Sequence, residues 1–332
     1  MGMIRSYVKG LGVYVPPRVV KNKDLETLMT TSDEWIRQRT GIEERHYADE
    51  GVWTSDLGAE AAKRAVADAG ITLADVDFIL FATLSPDRHF PGTSCYMQDK
   101  LGIPGIAAMD IRNQCTGFLY GLATADAFVR TGRYKNILVV GAEVHSSALD
   151  FSTQGRTVTV LFGDGAGAAI VSPTEEDRGL LTVNLHADGR GAEDLCLHLW
   201  NISRKPYMRT EDLAAGEHWP KMNGRAVFKE ATTNMKGAIL EALAAAGKSI
   251  EDIDLLVPHQ ANLRINQWVA SELGLPDEKV VNNIQRYGNT TAGSIPIALN
   301  EAREDGRLKR GGLVCIAAFG AGFTWGAALL KW

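Results

Sequence analysis

The chain is poor in cysteine: four in 332 residues, Cys95, Cys115, Cys196 and Cys315, with no C-x-x-C spacing. That excludes a disulfide framework and fits free thiols in a reducing compartment. The histidines fall in no metal-ligand spacing and there is no H-E-x-x-H, so no metal site is expected. No G-x-G-x-x-G opens a helix. The strings F-G-D-G-A-G-A at 162–168 and F-G-A-G-F-T-W-G at 319–326 both run on into apolar strand residues. They read as tight turns and close backbone approaches, which argues against a dinucleotide cradle and a dehydrogenase. Positive charge is not in excess: the net charge is −5, so a nucleic-acid partner is not expected. The N-terminal stretch lacks the long apolar core of a signal peptide. One uncharged run, Gly311 to Leu330, is long enough to span a bilayer. It is broken by glycines and reads as two buried strands around a Gly-rich turn.

What the chain does contain is a repeat of itself. AVADAGITLADVDFIL at 65–80 returns as ALAAAGKSIEDIDLLV at 242–257. Leu101 to Pro104 (L-G-I-P) returns at Leu273 to Pro276 (L-G-L-P), and Gly132 to Lys135 (G-R-Y-K) at Gly306 to Lys309 (G-R-L-K). A period this long means two fused halves, not a solenoid. The halves are placed at residues 1–173 and 174–332.

Within each half the rhythm is α/β. Helices are expected at 56–70, 117–131, 232–246, 263–273 and 294–302. Strands are expected at 77–83, 135–141, 166–171, 254–257, 313–318 and 326–330. Pro296 is acceptable because the first helical turn needs no N–H there. Uncharged strands alternating with helices imply central sheets covered on both faces. The stretch 187–221 has no period and reads as loops and short strands joining the halves.

The repeat singles out three residues. Cys115, in D-I-R-N-Q-C-T-G-F, lies between a strand and the start of a helix. The positive end of the helix dipole there stabilises a thiolate, so the thiol is expected below its ordinary value of roughly 8.5. Asn289, in Y-G-N-T-T-A-G-S, occupies the matching place in the second copy, each residue lying the same distance before its G-R-x-K. His259, in V-P-H-Q-A-N, follows a strand at the carboxyl end, where ligands bind in α/β sheets; Ala82 is its counterpart. Cys95, Cys196 and Cys315 have no polar partners nearby in sequence and read as core thiols.

With these residues in hand, the chain resembles the β-ketoacyl-acyl-carrier-protein synthase III family, condensing enzymes of the thiolase superfamily. The resemblance spans nearly the whole length. It rests on T-S-D-E-W-I-x-x-R-T-G-I-x-E-R-H at Thr31 to His46, C-T-G-F at Cys115, F-G-D-G-A-G-A, V-P-H-Q-A-N-L-R-I at Val257 to Ile265, Y-G-N-T-T-A at Tyr287 and the terminal F-G-A-G-F-T-W-G. It implies a five-layered α/β/α/β/α sandwich of two pseudo-symmetric halves, a homodimer and a cytoplasmic location.

The reaction implied is decarboxylative condensation of a short acyl-CoA with malonyl-acyl-carrier protein through an acyl-cysteine. No cofactor is needed beyond coenzyme A thioester as substrate. The family's triad lands on Cys115, His259 and Asn289, with backbone N–H groups of Cys115 and Ala321 as the oxyanion hole. Coenzyme A contacts land on Trp35, Arg39, Arg156, Phe228 and Asn262. Carrier-protein docking lands on Lys229 and Arg264, and the acyl pocket on Phe90, which in the family reaches into the partner subunit. Three positions depart from the family pattern. Asn113 and Gln114 stand where well-studied members carry small residues, Arg225 replaces an Asn, and Ala321 replaces a third glycine found in some members. Arg88 has no role in this reading. Related readings on the same fold are a condensing enzyme for longer chains, for a polyketide or quinolone starter or for head-to-head joining, an acyltransferase that never decarboxylates, and a catalytically silent acyl-CoA-binding scaffold.

Overall fold

The computed structural model describes residues 4–332. Nine strands build two central sheets. Strands β1 (Arg5–Tyr14), β2 (Phe78–Ala82), β3 (Ala107–Ile111), β4 (Ile137–Glu143) and β5 (Gly165–Thr174) form the first, in the order β1-β5-β4-β2-β3. Strands β6 (Gly179–Ala187), β7 (Leu255–Pro258), β8 (Leu313–Gly320) and β9 (Thr324–Lys331) form the second, in the order β7-β8-β9-β6. The pairings correspond. β2 runs parallel to β4 and β4 antiparallel to β5, as β7 runs parallel to β8 and β8 antiparallel to β9. A counterpart of β3 survives in the second sheet only as a parallel bridge between Leu256 and Val280.

Seven principal helices complete the layers: α1 (Asp33–Thr40), α2 (Thr54–Asp68), α3 (Thr93–Leu101), α4 (Gly117–Arg130), α5 (Gly224–Ala245), α6 (Leu263–Leu273) and α7 (Ser294–Glu304). The two-residue alternation of the strands sorts their side chains between layers. In β2, Ile79 and Phe81 face outward to Leu57 and Ala61 of α2 and Met97 of α3. Leu80 faces inward to Phe118 and Leu122 of α4, in a core that also holds Ile295 and Leu299 of α7. Beyond the second sheet, Leu256, Cys315 and Leu329 pack on Met235 and Ile239 of α5 and Val269 of α6. The result is the α/β/α/β/α sandwich, with α4 and α7 buried in its middle layer. Both faces of each sheet are covered, which is why β2 and β4 contain no exposed residue.

The middle layer demands close backbone approach at one point that matters for the site. A Cβ on Gly141 of β4 would lie 2.2 Å from the carbonyl oxygen of Ala292. Only glycine lets the turn after Asn289 sit against this strand.

Several details differ from the sequence-based expectation. The two outer strands β1 and β6 and the helices α1 and α3 have no clear period in sequence and escaped it. Helix α5 begins at Gly224, well before the expected 232, because Asn223 caps it by accepting a bond from Ala226 N–H. Cys95 is exposed and Cys196 half-buried, so only Cys315 is a core thiol among the three. Cys95 lies on α3, a helix whose outward face carries it to solvent. The C-terminal apolar run forms the hairpin β8–β9. Among the described residues, no helix is long and apolar enough to cross a membrane. The stretch 187–221 holds a 3-10 turn, Gly189–Asp194, a two-residue ribbon pairing Leu195–Cys196 with Lys221–Met222, and the short helix Thr210–Ala214.

Candidate active site

Cys115 sits in a single 3-10 turn, Gln114–Thr116, directly ahead of α4. Gln114 adopts φ of +43°, a left-handed conformation that non-glycine residues adopt at a cost and that clusters at functional sites. The turn after β8 presses on the same cysteine: a Cβ on Gly320 would come within 2.9 Å of Cys115 Cβ. The side chain is buried, yet it lines a cavity of about 1010 Å³.

His259 and Asn289 line that same cavity. The two come from the second half of the chain, so the site exists only because the halves meet. His259 follows β7 and its backbone N–H donates to Ala317 O at 2.8 Å. Its ring Nδ1 lies 2.6 Å from Ser294 Oγ, while Nε2 is buried with no partner among the described residues. Burial pushes the imidazole down to about 3, so the ring is neutral at physiological pH. Asn289 is clamped by its backbone, donating to Leu161 O at 2.8 Å and accepting from Gly163 N–H at 3.1 Å. Its Oδ1 accepts the Thr291 N–H at 2.8 Å. That bond occupies the amide's acceptor and leaves its two N–H groups free to donate.

The thiol itself corrects the expectation of a depressed pKa. Burial, with the Glu143 carboxylate nearby, pushes Cys115 up to about 12. The helix terminus carries only a partial charge, which does not offset removal from water. Three donors pull the other way: the N–H of Cys115 itself, the hydroxyl of Thr291 and the N–H of Ala321. The resting group is therefore a thiol, and the site stabilises the thiolate and any oxyanion beside it once the proton is gone.

A cysteine, a neutral histidine and an amide donor gathered in one cavity are the equipment of acyl transfer through a thioester. Comparison with known proteins agrees. The model for 3-oxoacyl-[acyl-carrier-protein (ACP)] synthase III matches residues 109–189, and the model for its C-terminal part matches residues 243–332. The β-ketoacyl-[acyl-carrier-protein] synthase III 1 of Bacillus cereus is 45% identical over 325 residues, covering 98% of each chain. The β-ketoacyl-[acyl-carrier-protein] synthase III of Clostridium perfringens is 46% identical over 323 residues, covering 97% of this chain and 98% of its own. The chain belongs to the 3-oxoacyl-[acyl-carrier-protein] synthase III family. It is a condensing acyltransferase of fatty acid synthesis. The crystal structure of the Aquifex aeolicus 3-oxoacyl-[acyl-carrier-protein] synthase III superposes with a TM-score of 0.90 at 42% identity, covering 98% of this chain and all of its own.

At the mouth of the synthase cavity, Trp35 of α1 lies under two guanidinium groups, Arg39 at 4.4 Å and Arg156 at 4.7 Å from its ring. Trp35, Arg39, Phe228 and Asn262 line the cavity. Arg156 does not line it. It reaches the rim over Trp35 and donates to Thr30 O. Asn262 caps α6 through Arg264 N–H and donates to Arg39 O at 3.0 Å, tying α6 to α1. Arg264 lines the mouth over Phe228, whereas the Lys229 side chain is 79% exposed beside Glu230. Gln114 and Arg225, both departures from the family pattern, line the cavity as well.

Phe90 is not brought to this cavity. It is 81% exposed at the end of the loop after β2. Arg88 has a partner after all, its guanidinium lying 4.7 Å from the Trp53 ring.

Four polar residues of the site were missed in the sequence: Glu143, His145, Thr291 and Ser294. The last two lie two and five residues after Asn289, inside a motif already singled out. The first two follow the apolar strand I-L-V-V-G-A, at the carboxyl end where functional groups gather. Sequence spacing also hid a gathering of Glu193, Cys196 and His198, whose ligand-type atoms lie within 4.8 Å of one another. A hydrogen-bonded network accounts for it: His198 is bracketed by Glu217 at 2.7 Å and Glu193 at 3.1 Å.

Proposed function

We propose that this enzyme primes fatty acid synthesis by condensing a short acyl-CoA with malonyl-acyl-carrier protein. Cys115 passes its proton to His259 and its thiolate attacks the acyl-CoA carbonyl. The N–H groups of Cys115 and Ala321 hold the oxyanion. The coenzyme A thiolate leaves, takes up the proton, and Cys115 remains as an acyl thioester. Malonyl-carrier protein then enters. His259 Nε2–H and the Asn289 amide donate to its thioester carbonyl. The carboxylate departs as CO₂, and its bonding electrons form an enolate that these donors stabilise. The enolate carbon attacks the acyl-Cys115 carbonyl, forming the new C–C bond and expelling the Cys115 thiolate. The product is a β-ketoacyl-carrier protein. Loss of CO₂ supplies the carbanion, so the chemistry asks for no redox cofactor or metal.

One observation carries this reading. Asn289 Oδ1 is tied to Thr291 N–H while His259 Nε2 is left without a partner among the described residues. Both groups therefore offer donors into the cavity beside Cys115. Ser294 Oγ suits both stages, because a hydroxyl can accept from Nδ1–H or donate to Nδ1. The first arrangement leaves Nε2 as a base for acylation, the second makes it a donor for decarboxylation.

The same reading places the adenine of coenzyme A on Trp35 and its phosphates by Arg39 and Arg156, with Phe228 and Asn262 along the pantetheine. The acidic carrier protein docks on Lys229 and Arg264. The working form is a cytoplasmic homodimer, for which the exposed Phe90 and the 86% exposed Ile202 supply apolar surface, with Phe90 reaching the acyl pocket of the second copy. The halves at 1–173 and 174–332 are the two units of the fold.

Intact protein mass after incubation with acyl-CoAs from acetyl to long-chain, beside Cys115→Ala, tests the proposal. A gain of one acetyl group on the wild type and none on the variant is expected. Labelling by long chains alone would move the enzyme to a different pathway, and no adduct with any donor would overturn the nucleophile.

A further inference from the structure

The mechanism above uses His259 on one flank of Cys115. A second buried histidine, held against Thr291, has no part in it. His145 follows β4 and is 7% exposed. Its backbone N–H donates to Asp164 Oδ1 at 2.7 Å, and its ring packs on Phe162 with centroids 4.5 Å apart. The ring Nε2 lies 2.7 Å from Thr291 Oγ1. Thr291, at φ of +47°, lines the cavity together with Cys115, and its hydroxyl is among the groups that hold the thiol down. Side chains from three separate segments thus come together: the imidazole on the hydroxyl, and the hydroxyl beside the cysteine.

We propose that His145 is a positioning residue, acting through Thr291, that stabilises the Cys115 thiolate. This rests on Cys115 being the nucleophile. The argument is one of donor counting. A hydroxyl has a single proton. If Thr291 gave it to His145 Nε2, the sulfur would lose that donor. With the imidazole proton on Nε2, His145 donates to Thr291 Oγ1 and the Thr291 proton is directed at the sulfur. Donors in series polarise one another in a dry environment, so the second bond is strengthened by the first. Burial pushes His145 down to about 3, as it does His259, so both rings are neutral; of the two, it is His259 that lines the cavity. Its role is donation, and the base of the acylation step remains His259.

The other ionisable groups facing this line are few. Glu143 on β4 faces Cys115 and accepts from Thr83 Oγ, Ser85 Oγ and the N–H groups of Leu84 and Ser85. Burial raises Glu143 to about 7. Asp164 faces the backbone of His145 and Ser146. His259 and Arg112 line the cavity in front of the sulfur. All of them stay in place when His145 or Thr291 is changed, so their contribution cancels in a comparison of variants.

The experiment is the pH dependence of Cys115 alkylation by iodoacetamide, followed by peptide mass so that exposed Cys95 is counted separately. The set is wild type, His145→Gln, His145→Phe, Thr291→Val and the double variant His145→Phe/Thr291→Val. Glutamine keeps an N–H near the Nε2 position and valine keeps the backbone bond from residue 291 to Asn289. His145→Phe and Thr291→Val should each slow alkylation roughly ten-fold at any fixed pH between about 7 and 9, where the rate follows the thiolate population. The double variant should equal Thr291→Val alone, and His145→Gln should restore most of the wild-type profile. Superimposable profiles for wild type and His145→Phe would overturn the proposal, as would additive shifts in the double variant. Thermal melts of all variants separate misfolding from a true shift. Failure of acetyl-CoA to label wild-type Cys115, measured alongside, would instead sink the nucleophile assignment itself.

Discussion

Ser294 Oγ lies 2.6 Å from His259 Nδ1, and the partner is the first residue of a buried helix. Ser294 Oγ also accepts from the backbone N–H of Gln260. The hydroxyl is therefore fixed on both sides and sets the plane of the imidazole. Ser294→Ala should slow condensation roughly 10- to 100-fold, since orientation of an acid–base group is what is lost. Acylation and CO₂ release, measured separately, should both fall while thermal stability changes little. An unchanged rate of both steps would mean that the ring is held by packing alone.

Cys115 and Asn289 occupy matching places in the two halves, and the proposed mechanism uses them at different stages. Cys115→Ala should abolish acylation, read as mass gain with acetyl-CoA. Asn289→Ala should leave that gain intact and reduce CO₂ release from malonyl-carrier protein by about 10²–10³, the usual loss for one oxyanion donor. Equal loss of both partial reactions would contradict the division of labour.

Trp35 lies beneath Arg39 and Arg156 at the cavity mouth. Stacking of a base on an aromatic ring is worth ~1–3 kcal/mol. Trp35→Ala should accordingly raise KM for acyl-CoA roughly ten-fold and leave kcat near the wild-type value, the signature of lost uniform binding. A fall in kcat with KM unchanged would place the adenine elsewhere.

Stability should depend on pH in a defined way. His145 and His259 are both held down to about 3, against an ordinary 6.5. The unfolded chain thus binds up to two more protons at these rings, and their contribution is lost as pH falls from 6.5 towards 3. Glu143 is raised from 4.5 to about 7. It opposes the histidines between pH 7 and 4.5, where the folded state binds the extra proton. Urea unfolding should show stability falling gently from pH 6.5 to 4.5 and more steeply below. At the alkaline end, Cys115 and Cys315, both raised to about 12 from 9, should cause a further loss above pH 9. Replacing both histidines by glutamine should flatten the acid limb. A limb unchanged by that substitution would assign it to other groups.

Much of this was legible in the chain. The apolar runs at 78–82 and 137–143 are strands because nothing in them is exposed, and the terminal glycine-broken run is a hairpin for the same reason. The repeat placed Ala82 and His259 at equivalent strand ends, and Cys115 and Asn289 at equivalent helix starts. That register is local information, carried by spacing along each half. The outer strands Arg5–Tyr14 and Gly179–Ala187 were less legible, being partly exposed and hence without a uniform pattern.

Other features depend on how the halves stack. His145 meets Thr291 across 146 positions of sequence and Ser294 meets His259 across 35. No periodicity encodes such pairs, because they arise between elements of different layers. The protonation of Cys115 was misjudged for the same reason. Its place at a helix start could be read from neighbouring residues, but its burial against Gly320 and its proximity to Glu143 could not. By itself the sequence determined the layers, the family motifs and the candidate reactive side chains, since these follow from short-range pattern and residue type. The tertiary structure alone decided the charge states and the hydrogen-bond partners of those side chains, because both depend on which distant groups exclude water from them.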